Sequence, residues 1–222
     1  MPAPPAKPRP KRGRPPIANL EEQRREQIIA AAVSVFADNG YEATTMSDIA
    51  RHAGIGQGTL YRYVASKREL LDLVFDYSVE EILGEVRPAL LAEQPVTDVA
   101  DALARFDAAW AAVLTTIDQR PALASLVLVE ASAMDEELKL RALGLEAGVA
   151  RMAAGVFEEA RDAGFLRSGA DPQVLGLLVT KLVIPAGLRE VMGGADAARR
   201  DRYRAALTDF LRHGVFTDGP TR

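Results

Sequence analysis

Cysteine is absent from all 222 residues. That excludes a disulfide scaffold, a thiolate zinc site and a cysteine nucleophile. Histidine is nearly as scarce, with only His52 and His213, and the pair does not stand at metal-ligand spacing. The Gly-x-Ser-x-Gly, P-loop and dinucleotide fingerprints are missing as well. No catalytic residue, metal site or cofactor is therefore nominated. Long apolar runs are also lacking. The best candidate, Val174 to Leu188, is interrupted by Lys181 and Pro185 and falls short of the roughly 18 residues of a membrane span. The basic start of the chain runs into the polar stretch Glu21–Glu26 instead of an apolar core, so no secretory signal is read there. These absences fit a cytoplasmic chain with no membrane partner.

The charge that is present is unevenly placed. The chain carries a net −4, yet residues 1–70 hold eleven Lys/Arg against seven Asp/Glu, while the remainder is net acidic. A basic head on an acidic body suggests that the head alone meets a polyanion. Residues 1–16 are rich in proline, lysine and arginine and have almost nothing to bury, as in a disordered arm. Within the arm, Gly13 is flanked by Arg12 and Arg14. This slender cationic segment resembles an AT-hook core and suits an A·T-rich minor groove.

Beyond the arm the pattern is helical throughout, with no convincing strand, hairpin turn or repeat. Ile29, Val33 and Phe36 stripe a first helix from Glu21, which Asn39-Gly40 stops. Thr45 and Asp48 stand at capping-box spacing before a second, short helix that Gly54 ends. A third helix is predicted over Gln57–Val64, with Leu60 and Val64 on its buried edge. Ser66 and Glu69 form another capping box opening a long fourth helix, expected to stop at Pro88. Two short helices joined by a Gly-Ile-Gly turn behind a support helix are the physical recipe for a helix-turn-helix. Its exposed face offers Gln57, Thr59, Arg62 and Tyr63, side chains that suit base edges and phosphates.

Residues 25–70 resemble the DNA-binding domain of the tetracycline-repressor (TetR) family. The match rests on Ile29, Ala31 to Phe36, Gly40, Tyr41, Thr44, Thr45, Ile49, Ala50, Ala53, Gly54, Gly58-Thr59-Leu60-Tyr61, Tyr63, Ser66, Lys67 and Leu70. Val64 departs from it, since the family usually has phenylalanine there. The resemblance implies that Thr45 and Ser47 touch phosphate, that Gln57, Gly58 and Thr59 approach base edges, that Tyr61 and Tyr63 give hydroxyls to the duplex, and that Lys67 pairs with phosphate. Arg62, outside the shared pattern, is added here as a reader of guanine.

In the family the remaining helices bind a ligand and form the dimer. From Val174 to Ile184, eight of eleven residues are Val, Leu or Ile, too many for one stripe, so this helix is expected to be covered on two sides. Leu178, Leu182, Tyr203, Leu207 and Phe210 are assigned to a homodimer interface. Pro185 is expected to kink or end its helix. Gly144, Gly148 and Gly155 would permit close helix packing or leave room for a ligand. Phe106, Trp110, Met134 and Met152 are nominated as cavity lining, and Glu130 as a carboxylate that orients an effector.

The expectation is an all-α chain: an N-terminal three-helix helix-turn-helix domain and a C-terminal helical ligand-binding and dimerisation domain. The divisions are a basic arm over 1–20, the DNA-binding domain over 21–65, a connecting helix over 66–88 and the body over 89–222. The function read from them is a sequence-specific transcriptional regulator, a repressor released from a palindromic double-stranded operator by a small-molecule effector. Two alternatives stay open: an architectural protein holding A·T-rich DNA through the arm, and a carboxylate-dependent enzyme.

Overall fold

The computed structural model describes residues 17–130, 136–193 and 196–217, without the side chains of 17–19 and 129–130. Arg12, Arg14 and Met134, and the Glu130 side chain, lie outside that set. The helices are α1 (Ile17–Asn39), α2 (Met46–His52), α3 (Gln57–Leu60), α4 (Lys67–Leu90), α5 (Val99–Gln119), α6 (Pro121–Ser125), α7 (Glu136–Asp162), α8 (Pro172–Gly193) and α9 (Ala197–Phe210). π-helical turns follow α6 over Leu126–Glu130 and α9 over Leu211–Val215. Among the described residues the only strand-like pairing is one antiparallel bridge, Leu166 with Phe216.

Several boundaries differ from expectation, each for a local reason. α1 begins at Ile17, inside the stretch assigned to the arm. α3 ends at Leu60, not Val64; Tyr63 and Val64 both return their N–H to the Leu60 carbonyl, which tightens the chain into turns. α4 runs through Pro88 to Leu90 and α8 through Pro185 to Gly193. Pro88 sits in the last turn of its helix, where continuation needs few further bonds. α5 starts at Val99, where the Asp98 carboxylate caps the helix by accepting the Asp101 N–H at 2.8 Å.

Two cores form. The head core joins α1, α2, α3 and the first two turns of α4 around Phe36, Ile49, Leu60 and Phe75, all at most 2% exposed. Leu126, Val127 and Leu138 of the body belong to this same core. The body core gathers Val86 and Leu90 of α4 with Phe106, Phe157 and Phe165. α4 therefore serves both.

The tightest crossing is α7 on α8. A Cβ on Gly176 would lie 2.3 Å from the Ala150 carbonyl oxygen and 2.7 Å from the Ala154 nitrogen. Only glycine permits that approach. The three glycines singled out from sequence have no such role: a Cβ would meet nothing within 4 Å at Gly144 or Gly155, and only the end of Arg151 at Gly148. α8 buries Gly176, Val179 and Thr180 on one side and leaves Val174, Leu177, Leu178 and Leu182 exposed on the other.

Candidate DNA interface and ligand cavity

Local chemistry fixes the helix-turn-helix. The Thr45 hydroxyl accepts the Asp48 N–H at 3.2 Å, and the Asp48 carboxylate accepts the Thr45 N–H at 3.1 Å, completing the capping box. After Ala53, Gly54 takes φ +64°, and the Ile55 N–H returns to the Ala50 carbonyl at 3.0 Å. Gln27 of α1 holds this turn by donating to the Ala53 carbonyl at 2.6 Å. Thr44 is buried and donates to the Gly40 carbonyl at 2.8 Å. At the second capping site the Ser66 hydroxyl accepts the Glu69 N–H, but the Glu69 carboxylate takes the N–H of Ala65, one residue earlier than expected.

The nominated DNA residues within the described set differ in freedom. Gln57, Arg62 and Ser47 are exposed and make no side-chain hydrogen bond among the described residues. Gly58 is exposed with open space beside it. Tyr61 is 48% exposed, so it is not core packing. Thr59 and Tyr63 are half-buried, and Tyr63 packs against the head core. Two of the nominated residues already have partners within the chain. The Thr45 hydroxyl donates to Asp48 at 2.5 Å, so in this arrangement its proton is engaged within the capping box. That hydrogen bond also holds the Asp48 carboxyl below its usual range. Lys67 is anchored: its Nζ donates to the Glu42 carbonyl at 3.1 Å and lies 4.3 Å from the Tyr41 ring centre. Its charge faces the surface, but from a fixed position.

Behind the head, α4 is clamped by ion pairs. Arg68 bonds Asp72 and Glu137, and Arg141 of α7 bonds Asp72 and Asp76 while lying over the Phe75 ring. Arg120 reaches Glu81 on the same helix.

The second half of α4 forms one wall of a cavity of about 90 Å³. Ile82, Val86 and Leu90 face Phe106 and Trp110 of α5, Val149 of α7 and Val183 of α8 across it. The hydroxyls of Thr116 and Thr180 touch the cavity but are spent on carbonyls of their own helices, Ala112 and Gly176. The Trp110 indole N–H, by contrast, is buried with no acceptor. An unpartnered buried donor is costly, so a hydrogen-bond acceptor entering beside it is favoured. Of the nominated lining residues, Phe106 and Trp110 are in place. Met152 instead packs into the body core and does not line the cavity. Leu207, assigned to the dimer interface, does line it, because α9 turns that residue inward. Val86, Val149 and Val183 were missed, since from sequence they are ordinary stripe residues.

Leu178, Leu182 and Phe210 are 42–48% exposed, and Tyr203 is half-buried, its hydroxyl bonded to the Leu182 carbonyl. Among the described residues, no group of three or more His, Asp or Glu could hold a metal ion. None of the described helices is long and apolar enough to cross a membrane.

Residues 28–74 match the family model described as bacterial regulatory proteins, tetR family. The transcriptional activator FasR of Mycolicibacterium smegmatis is 41% identical over 69 residues, covering 31% of this chain and 32% of that protein. The chain thus spans about a third of the length of the first curated relatives it matches. A longer match is the fatty acid metabolism regulator protein of Bacillus subtilis, 26% identical over 145 residues, 65% of this chain and 72% of that one. The crystal structure of FadR from Bacillus subtilis in complex with stearoyl-CoA aligns with a TM-score of 0.69 and 21% identity, over 85% of this chain and 98% of that one. This last likeness is one of fold. The head sequence is thus similar to the tetR-family DNA-binding segment over residues 28–74, and the all-helical architecture is similar in fold to the solved FadR structure.

Proposed function

We propose that the chain is a sequence-specific DNA-binding regulator, a repressor, whose hold on its operator is set by an apolar small molecule in the body cavity. The observation that carries this reading is the continuity of α4. Its N-terminus at Lys67 stands beside the DNA-facing surface, and its second half walls the cavity. It works by binding, with no reaction assigned, and as a cytoplasmic protein.

Gln57, Gly58, Thr59 and Arg62 read base edges, while Ser47, Tyr61, Tyr63 and Lys67 position the backbone. Two copies pair through the exposed faces of α8 and α9, with Leu178, Leu182, Tyr203 and Phe210 at the seam. Recognition surfaces then sit one DNA turn apart, about 34–36 Å, on a palindromic site. An effector between α4 and α5 displaces α4 and spoils that spacing. Coupling of about 1–3 kcal/mol would change operator affinity roughly 5- to 150-fold.

The test is selection of bound duplexes from a random pool, followed by titration of the recovered site. A symmetric site with half-sites about 10 base pairs apart is the expected result. Equal binding to every duplex at low salt would end the reading. Deleting residues 1–16 separates it from the architectural alternative: a regulator keeps its site preference and shows a smaller salt dependence.

A further inference from the structure

The wall of the cavity behind α4 carries no charge. Among the described residues that line it, only Trp110, Thr116 and Thr180 bear polar side-chain atoms. Both threonine hydroxyl protons go to carbonyls one turn back, Ala112 at 3.0 Å and Gly176 at 2.8 Å. The Trp110 indole N–H is the remaining donor. The residue is 4% exposed, and that N–H has no acceptor among the described residues. The indole also packs against Tyr203, with ring centroids 5.5 Å apart. Turning the N–H away to find water would break that contact.

Size is the second constraint. The cavity holds about 90 Å³. A dry cavity of about 150 Å³ lined by Leu, Ile and Phe accommodates benzene. The space behind α4 therefore suits a molecule of roughly five to seven non-hydrogen atoms. Val86, Val149 and Val183 in its wall are β-branched and stiff, so the wall does not give way freely.

Building on the effector reading above, we infer that the cavity takes a compact, uncharged carbonyl compound as effector, of the size and shape of a small cyclic ketone, whose oxygen accepts the Trp110 N–H. Each part of this description answers one feature of the wall. A carboxylate or an ammonium group would lie unpaired in an apolar space, at a cost that its hydrocarbon could not offset. A pure hydrocarbon would leave the indole donor unmet. A carbonyl brings an acceptor and no proton, which matches a single open donor. Water is a poorer occupant, because it needs roughly two to four polar partners and the wall is almost wholly apolar.

The chain has a single tryptophan, so the full-length protein gives one indole N–H proton resonance. Cyclopentanone, methylenecyclopentane, cyclopentylammonium, cyclobutanecarboxylate and cyclododecanone would each be titrated, with that resonance and the melting temperature as readouts. Cyclopentanone should raise the melting temperature and move the indole resonance downfield, as an N–H does on gaining an acceptor. Methylenecyclopentane has the same shape without the oxygen, and should stabilise without the downfield shift. The two ions should do neither. Cyclododecanone, more apolar but too large, should not bind. Trp110→Phe should lower the preference for ketone over alkene about fivefold or more. Cyclopentanone binding that left the indole resonance in place would overturn the carbonyl contact. Equal binding by either ion would overturn the uncharged class, and tighter binding by cyclododecanone the size limit. Silence from cyclopentanone in both readouts of the wild-type protein would overturn the whole inference, whatever Trp110→Phe does to folding. Cyclopentanone that binds without changing operator affinity would keep the ligand class and sink the effector reading on which it rests. Operator selection on unliganded protein tests the regulator reading separately.

Discussion

Head and body are both helical, but they use their cores differently. In the head, Phe36, Ile49, Leu60 and Phe75 pack against one another, and the polar groups around them are spent on caps and turns. The outward side chains are the ones left free. In the body, longer helices enclose a cavity and keep an indole N–H unpaired inside it. The head is finished without a ligand and directs its unsatisfied groups outward. The body leaves its deficit inside. Under the proposed function, a head that is complete by itself joined to a body with an internal deficit is the arrangement an allosteric regulator needs.

Substitutions can test this contrast, and the largest effect belongs to the head. Leu60→Ala should cost about 3 kcal/mol, read by urea denaturation, because the residue is fully buried in a core with no slack. A cost below about 1 kcal/mol would mean the head packs as loosely as the body. Glu190→Gln comes next, at about 3 kcal/mol or somewhat less, since it strands two arginines beside a buried site. Burial pushes the Glu190 carboxyl up, but the hydrogen bonds and charges of Arg200 and Arg199 outweigh it and hold it below its usual value. Hydrogen bonding from Arg200 likewise lowers Asp118. A lowered folded-state pKa stabilises at pH above the unfolded value and loses that contribution as pH falls through the folded one. Tm should thus be level near neutrality and drop below about pH 4, with a shallower drop in Glu190→Gln.

Two glycines on α8 give effects of opposite sign. Gly176→Ala drives a methyl into the α7 backbone and should destabilise by about 1–3 kcal/mol. Gly187→Ala meets only side-chain carbons at 3.6 Å or more and removes a helical glycine, so it should stabilise by up to about 1 kcal/mol. Because Gly187 lines the cavity, the same change should weaken effector binding. Thermal melts with and without ligand would show both effects, and stabilisation by Gly176→Ala would refute the close crossing. On DNA, Arg62→Ala should relax preference at one base position by about 1–3 kcal/mol, while Lys67→Ala should weaken all duplexes by a similar, smaller factor. Identical behaviour of the two would remove the division between reading and positioning.

The head was legible in the sequence because its determinants are local. Thr45 with Asp48, and Gly54 at its turn, act on residues within a few positions, and the structure realises each as read. Thr45 shows the limit of such reading: the sequence pattern does not tell that its hydroxyl proton is engaged by Asp48. The body's determinants lie far apart in the chain. Nothing near Gly176 announces that Ala150 approaches it, whereas Gly144 and Gly155 looked equally suited and pack against nothing. Met152 and Val149 share one helical stripe, and only the position of α8 and α4 decides which borders empty space. Prolines misled for a related reason: Pro185 forfeits one backbone bond, yet the packing around α8 carries the helix past it.

The seating of Leu126, Val127 and Leu138 in the head core has a consequence for cooperativity. Cutting the chain after α4 would strip three large apolar side chains from that core and bare the surface they cover. The head is then not an autonomous module, and denaturant should melt the whole protein in one transition instead of two. Occupying the cavity would accordingly raise the melting temperature of the recognition helices themselves, far from where the ligand sits.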